Sequence, residues 1–128
     1  MKAAKKEFQL EIAALHEKRQ EAFMAEDYRT AGRFGWKIDR KVVEWNEKFP
    51  KGPRYLDLHW MTGKGALRYV VETTKGRGEW FLETGRGNHS IDNIPVIKKS
   101  LVEWYGRFEN CSIREHQWNK GILVLTIF

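Results

Sequence analysis

Asp57 and His59 sit two residues apart in the alternating run Tyr55-Leu56-Asp57-Leu58-His59. On an extended strand, residues two apart share a face, with Cα atoms about 6.6 Å apart. A carboxylate and an imidazole so placed can address one substrate group, or the carboxylate can set the charge and tautomer of the ring. The polar outer face of a half-buried sheet shows the same alternation, and taken alone the pattern fits that plainer reading. A second stretch is Thr84-Gly85-Arg86-Gly87-Asn88-His89-Ser90. It follows the apolar run Trp80-Phe81-Leu82 and precedes a helical pattern, so it reads as a glycine-containing loop leading to a helix N-terminus. Glycines allow a close approach of backbone to ligand, and unpaired N–H groups at a helix start suit an anion such as phosphate. Arg86, Asn88, His89 and Ser90 add donors at the same point.

Other chemistries fit less well. Ser90 stands where a dinucleotide fingerprint needs its third glycine, and Gly63-Lys64-Gly65 lacks the remaining glycine and Ser/Thr of a P-loop. His59, His89 and His116 are in no H-x-x-x-H or H-E-x-x-H spacing, and the single Cys111 rules out a cysteine-based zinc site or an internal disulfide. No metal and no cofactor is therefore expected.

The elements that must position these residues follow from periodicity. A helix is expected from Lys5 to Asp27 with Phe8, Ile12, Leu15 and Phe23 near one face. Tyr28-Arg29-Thr30 interrupts it, and a second helix runs to Lys48 with Phe34, Ile38, Val42, Trp45 and Phe49 as its stripe. The two predict an antiparallel hairpin over residues 1–50, packed on itself and on the later elements, with a partner-binding arm as the functional alternative. Phe49-Pro50-Lys51-Gly52-Pro53 ends it. A strand over Tyr55–His59 comes next, then a helix capped by Thr62 that carries Ala66, Leu67, Val70 and Val71 and stops at Gly76 and Gly78. A strand over Glu79–Thr84 leads into the loop. The following helix has Asp92 or Asn93 as N-cap, Pro95 in its first turn, and Ile94, Ile97, Leu101, Trp104 and Tyr105 along it. Strands at Cys111–His116 and Ile122–Phe128 close the chain. The expected fold is α/β: a two-layer sandwich with a four-stranded mixed sheet and two covering helices, after an N-terminal helical hairpin.

With 128 residues and 41% hydrophobic content, the chain can build a real core, and a net charge of +6 favours a polyanionic partner over an acidic one. No apolar run is long enough to cross a bilayer, and the charged start does not read as a signal peptide. A soluble, cytoplasmic protein without a membrane partner, acting as a monomer, is expected. The end directly after an apolar strand fits a piece of a longer protein.

Leu56-Asp57-Leu58-His59 before a helix, then Thr84-Gly85-Arg86-Gly87-Asn88-His89-Ser90, a helix and a terminal hairpin together resemble the Smr (small MutS-related) domain over residues 54–128, including Asn119-Lys120-Gly121-Ile122 at the last strand. Residues 17–49 are similar to the helical extension that precedes eukaryotic Smr domains. The resemblance implies nucleic-acid binding and an endonuclease that cuts mRNA on stalled or collided ribosomes, in no-go and nonstop decay. It places the catalytic set on Asp57, His59 and Arg86, and the binding loop on Gly85, Arg86, Gly87, Asn88 and His89. Two departures stand out: Trp60 replaces the family's glycine after D-x-H, and Ile91-Asp92-Asn93 replaces a small or glycine-rich continuation. Trp60 and Trp118 can each stack on an RNA base or serve as packing. The mechanism expected is attack by the substrate's own 2′-hydroxyl with His59 as general base or acid, Asp57 orienting it, and Arg86 with the loop amides on the phosphate. A non-catalytic RNA- or ribosome-binding module and a DNA junction nickase are the alternatives.

Overall fold

A Thr62 side chain that caps one helix while bonding to another shows how the elements are joined. The computed structural model describes residues 2–85 and 95–128. In chain order these form α1 (Lys2–Met24), α2 (Tyr28–Lys48), β1 (Tyr55–Asp57), α3 (Gly63–Thr73), β2 (Gly78–Glu83), α4 (Val96–Tyr105), β3 (Cys111–Glu115) and β4 (Ile122–Ile127). The sheet order is β1-β2-β4-β3. β1 runs parallel to β2, while β4 is antiparallel to both β2 and β3. The mixed four-stranded sheet, the two helices on it and the preceding hairpin match the expected architecture.

Register decides what each face of the sheet carries. Leu56, Leu82 and Leu123 are direct neighbours across three strands. All three are buried, in one cluster with Ala66 and Val70 of α3 and Ile97, Leu101 and Tyr105 of α4. Side chains alternate along a strand, so the next row, Asp57, Glu83 and Ile122, lies on the opposite face. The leucine row holds the helices, and the acidic row faces away from them.

The hairpin is part of the same core. Ile12, Ile38 and Val42 are buried in the cluster that contains Leu56, Leu58 and Met61, so the hairpin and the described part of the sheet unit share one hydrophobic interior. Phe8 stacks on Trp45 with ring centroids 4.5 Å apart and planes 17° apart. The interhelical break falls at Ala25–Asp27 and not at Tyr28–Thr30. Asp27 accepts the Thr30 N–H at 3.2 Å, which makes Tyr28–Thr30 the first turn of α2.

Three other boundaries differ from expectation. β1 stops at Asp57, with the Leu58 N–H still donating to the Glu83 carbonyl at 2.8 Å before a turn in which Met61 N–H donates to Leu58. His59 therefore lies beyond the strand. Pro95 occupies the cap position of α4, not its first turn, and the proposed caps Asp92 and Asn93 and the stripe residue Ile94 lie outside the described residues. Gly76 and Gly78 follow a helix that has already ended at Thr73. Thr62 does cap α3, accepting from the Gly65 N–H at 3.0 Å. Its own N–H and O–H donate to Asp39 of α2 at 2.8 and 2.7 Å. Gly65 is required there, because a Cβ would collide with that carboxylate.

The free edge of β1 is closed by one side chain. Asn46 of α2, buried, accepts from the Asp57 N–H at 3.0 Å and donates to the Asp57 carbonyl at 2.8 Å. Its amide thus pairs with the strand as a neighbouring strand's backbone would. A second N–H donates to Val42 of its own helix at 3.1 Å. Replacing Asn46 with Ala leaves buried polar groups unpaired and is expected to lower the unfolding free energy by about 2 kcal/mol or more. Urea titration with an unchanged m-value is the measurement, and Asn46→Leu, which restores volume but no donor, is expected to be no better.

Candidate functional site

Parallel pairing of β1 with β2 sets the Asp57 carboxylate beside Glu83 on the helix-free face. The turn after Leu58 folds His59 back, so its Nδ1 is hydrogen-bonded to Asp57 Oδ1 and lies 3.6 Å from Glu83 Oε2. The pairing expected of the D-x-H run is present, made by a turn instead of a straight strand. Lys51, from the proline–glycine break, places its Nζ 2.9 Å from Asp57 Oδ2 and 2.8 Å from Glu83 Oε1. The Tyr55 hydroxyl donates to Glu83 Oε1 at 2.6 Å. Two carboxylates, an ammonium, a phenol and an imidazole form one network. The Asp57 side chain is only 13% exposed, whereas that of Lys51 is 42% exposed and is the more open cation of the site.

The charges respond to this packing. Burial pushes the Asp57 carboxyl up, but the hydrogen bond from His59, that ring's charge and Lys51 together outweigh it and hold it below the usual aspartate value. Burial pushes Lys51 down, and its bonds to Glu83 and Asp57 outweigh that, leaving it above an ordinary lysine. Burial and then the bond to Glu83 push the Tyr55 phenol well up. A carboxylate on Nδ1 favours the tautomer protonated there.

Asp57, His59 and Glu83 also offer three ligand atoms within 4.8 Å of one another, a set able to hold a divalent cation. The Lys51 ammonium, bonded to both carboxylates, already fills the charge-compensating place, and a metal would have to displace it.

The loop's start meets this network from behind. Gly85 has φ +78, and a Cβ there would come within 3.1 Å of His59 Cβ, so both the conformation and the approach call for glycine. Its N–H donates to the Gly121 carbonyl at 3.1 Å, and the Thr84 N–H donates to the same oxygen at 2.8 Å. That amide is thus engaged with the β3–β4 hairpin and is not turned to a phosphate. Arg86, Gly87, Asn88 and His89, with Ser90, lie outside the described residues.

The two tryptophans separate. Trp60 packs against the core cluster, its ring 5.0 Å from His59 and 6.0 Å from His16 of α1, and its carbonyl bonds to His16 Nε2 at 2.7 Å. It links the N-terminal helices to the site. Trp118 is 83% exposed. Its ring lies 6.0 Å from His116, which lies 6.1 Å from Phe81, so an aromatic row runs over the helix-free face toward the network.

Sequence reasoning missed Lys51, Tyr55 and Glu83. Glu83 carried a usable signal, because Glu79, Phe81 and Glu83 alternate and the last directly precedes the loop. Lys51 carried none beyond its charge.

The shifts fix how stability follows pH. Asp57 is depressed on folding, so its contribution is present above the unfolded aspartate pKa of about 3.9 and is lost as pH falls through the folded value. Asp57→Asn is expected to flatten the acid limb of the urea-midpoint curve. Lys51 and Tyr55 are both raised, so their contributions are present below about pH 10 and fade as pH rises beyond it. Lys51→Met is expected to soften the alkaline limb.

Comparison of the chain with protein-family models, curated proteins and solved structures returned no match.

Proposed function

We propose that the protein is an Smr-type endoribonuclease whose acting side chain is His59. The observation that carries this reading is the hydrogen bond of His59 Nδ1 to Asp57, inside a network with Glu83, Lys51 and Tyr55. Nε2 accepts the proton of the 2′-hydroxyl. The 2′-oxygen bonds to phosphorus, the bond from phosphorus to the 5′-oxygen breaks, the departing oxygen takes a proton from water, and Nε2 releases the proton it accepted to the hydroxide so formed. The products are a 2′,3′-cyclic phosphate and a 5′-hydroxyl. Asp57 is the positioning carboxylate. Lys51 uses two N–H groups on carboxylates and has a third for the phosphate's growing negative charge. Arg86 is carried over from the resemblance as a second phosphate cation. The setting implied by the same resemblance is cytoplasmic mRNA on stalled ribosomes.

One observation favours a second reading. Trp60, in place of the family's glycine, sets its ring 5.0 Å from that of His59, and a bulky ring where the family has no side chain suits a module that holds RNA without cutting it. DNA junction nicking is tested beside both.

On a short single-stranded RNA, the intact protein is expected to cut with these end groups and with no loss on adding a chelator. His59→Ala is expected to lose about a hundredfold or more in kcat. Asp57→Asn is expected to lower kcat and shift the pH–rate profile, and Lys51→Gln to lose about tenfold or more. Full activity in an Asp57→Asn, His59→Ala double variant would overturn the assignment. Binding without any cut by the intact protein would favour the module, and preference for branched DNA at matched salt would favour the nickase.

A further inference from the structure

The α2 helix carries a second feature that the active-site reading does not use. Arg29, Arg33, Trp36, Lys37 and Arg40 are all exposed. At about 100° per residue, positions 29, 33, 36, 37 and 40 fall within an arc of roughly 100°, so they form one stripe about 16 Å long. Asp39 is the sole acid between Asp27 and Glu44, and it is turned inward onto the Thr62 N–H and O–H. Arg40 lies 3.7 Å from Glu44 in an exposed pair at the stripe's end, where such a pair has little strength. Lys41, off the stripe, is the lysine bonded to Glu11 of α1 at 2.8 Å. A merely solvated helix mixes its charges, as α1 does with Lys5, Lys6, Glu7, Glu11, Glu17, Lys18 and Glu21. The α2 stripe does not.

Trp36 adds a second kind of contact. It is 62% exposed, an unusual place for so large an apolar ring. Arg40 stands over it at 5.5 Å. One turn the other way is Gly32, with no side chain and nothing within 4 Å of where a Cβ would be. An indole flanked by cations and by open ground offers a stacking surface for a base beside fixed phosphate contacts.

We infer that this α2 face is a binding surface for single-stranded RNA, in which Arg29, Arg33, Lys37 and Arg40 contact phosphates and a base stacks on Trp36. It goes beyond the proposed cleavage and does not depend on it. The surface grips a strand by its backbone, with little sequence preference.

The test is fluorescence anisotropy with a labelled short oligouridylate over a salt series, in an Asp57→Asn, His59→Ala background in which cutting is suppressed. The variant R29Q/R33Q/K37Q/R40Q is expected to bind at least thirtyfold more weakly, with a salt slope reduced by about three. A control with the same charge change on α1, K2Q/K5Q/K6Q/K18Q, is expected to lose less than fivefold. Trp36→Ala is expected to weaken binding by about tenfold without altering the slope. The altered side chains are exposed, so thermal unfolding is expected to stay unchanged, and the double variant R33Q/K37Q serves should the quadruple unfold. Equal losses from the two quadruple variants would overturn the inference, as would full binding by the α2 variants. Either result leaves the cleavage reading standing, whereas loss of cutting with selective α2 binding intact sinks only the cleavage reading.

Discussion

Everything around the candidate site depends on how the edge of β1 is closed. The strand is three residues long, at the short end of the usual range, and its ladder to β2 satisfies one edge only. Asn46 supplies the missing neighbour with one amide group bonded to both backbone polar groups of Asp57. An open edge strand invites pairing with another chain, and a helix laid along it prevents that. The residue held this way is the one whose carboxylate orients His59. Strand stability and imidazole placement therefore rest on the same contact.

Below that contact, apolar burial joins the hairpin to the sheet. Ile12, Ile38 and Leu58 are fully buried, and burying such side chains contributes about 1.5–3 kcal/mol each. Polar bonds then fix the orientation that burial leaves loose. Asp39 on the start of α3 and His16 on the Trp60 carbonyl each tie a helix of the hairpin to the segment that follows β1. Non-directional burial and directional bonding thus act on the same pair of layers.

Much of this was legible in the sequence. The stripe through Ile38 and Val42, the alternation of Leu56 and Leu58, and the Thr62 cap each follow from local rules that the structure obeys. Asp57 and His59 were found because they are close in sequence. Glu83, Lys51 and Asn46 were not, because each reaches Asp57 from another element, and strand register and helix placement are set by the whole fold. The break after α1 lies three residues before Tyr28-Arg29-Thr30, since the Asp27 side chain makes that tripeptide a first helical turn. Alternation continues through His59 and predicts a strand there, whereas the last bond to β2 is made by the Leu58 N–H.

The proline-rich break at Phe49–Pro53 looks like a domain seam, and its surroundings decide whether the chain can be divided there. Residues beyond it would lose Asn46 and, with it, the cover of the β1 edge. Leu56, Leu58 and Met61 would face water where Ile12, Ile38 and Val42 now lie. A fragment beginning at Arg54 would also lack Lys51, leaving the paired carboxylates without their ammonium. Such a fragment would present a sticky apolar surface next to an unprotected strand, the combination that leads to self-association. The break that the sequence offers as a place to cut is one at which the folded protein does not divide.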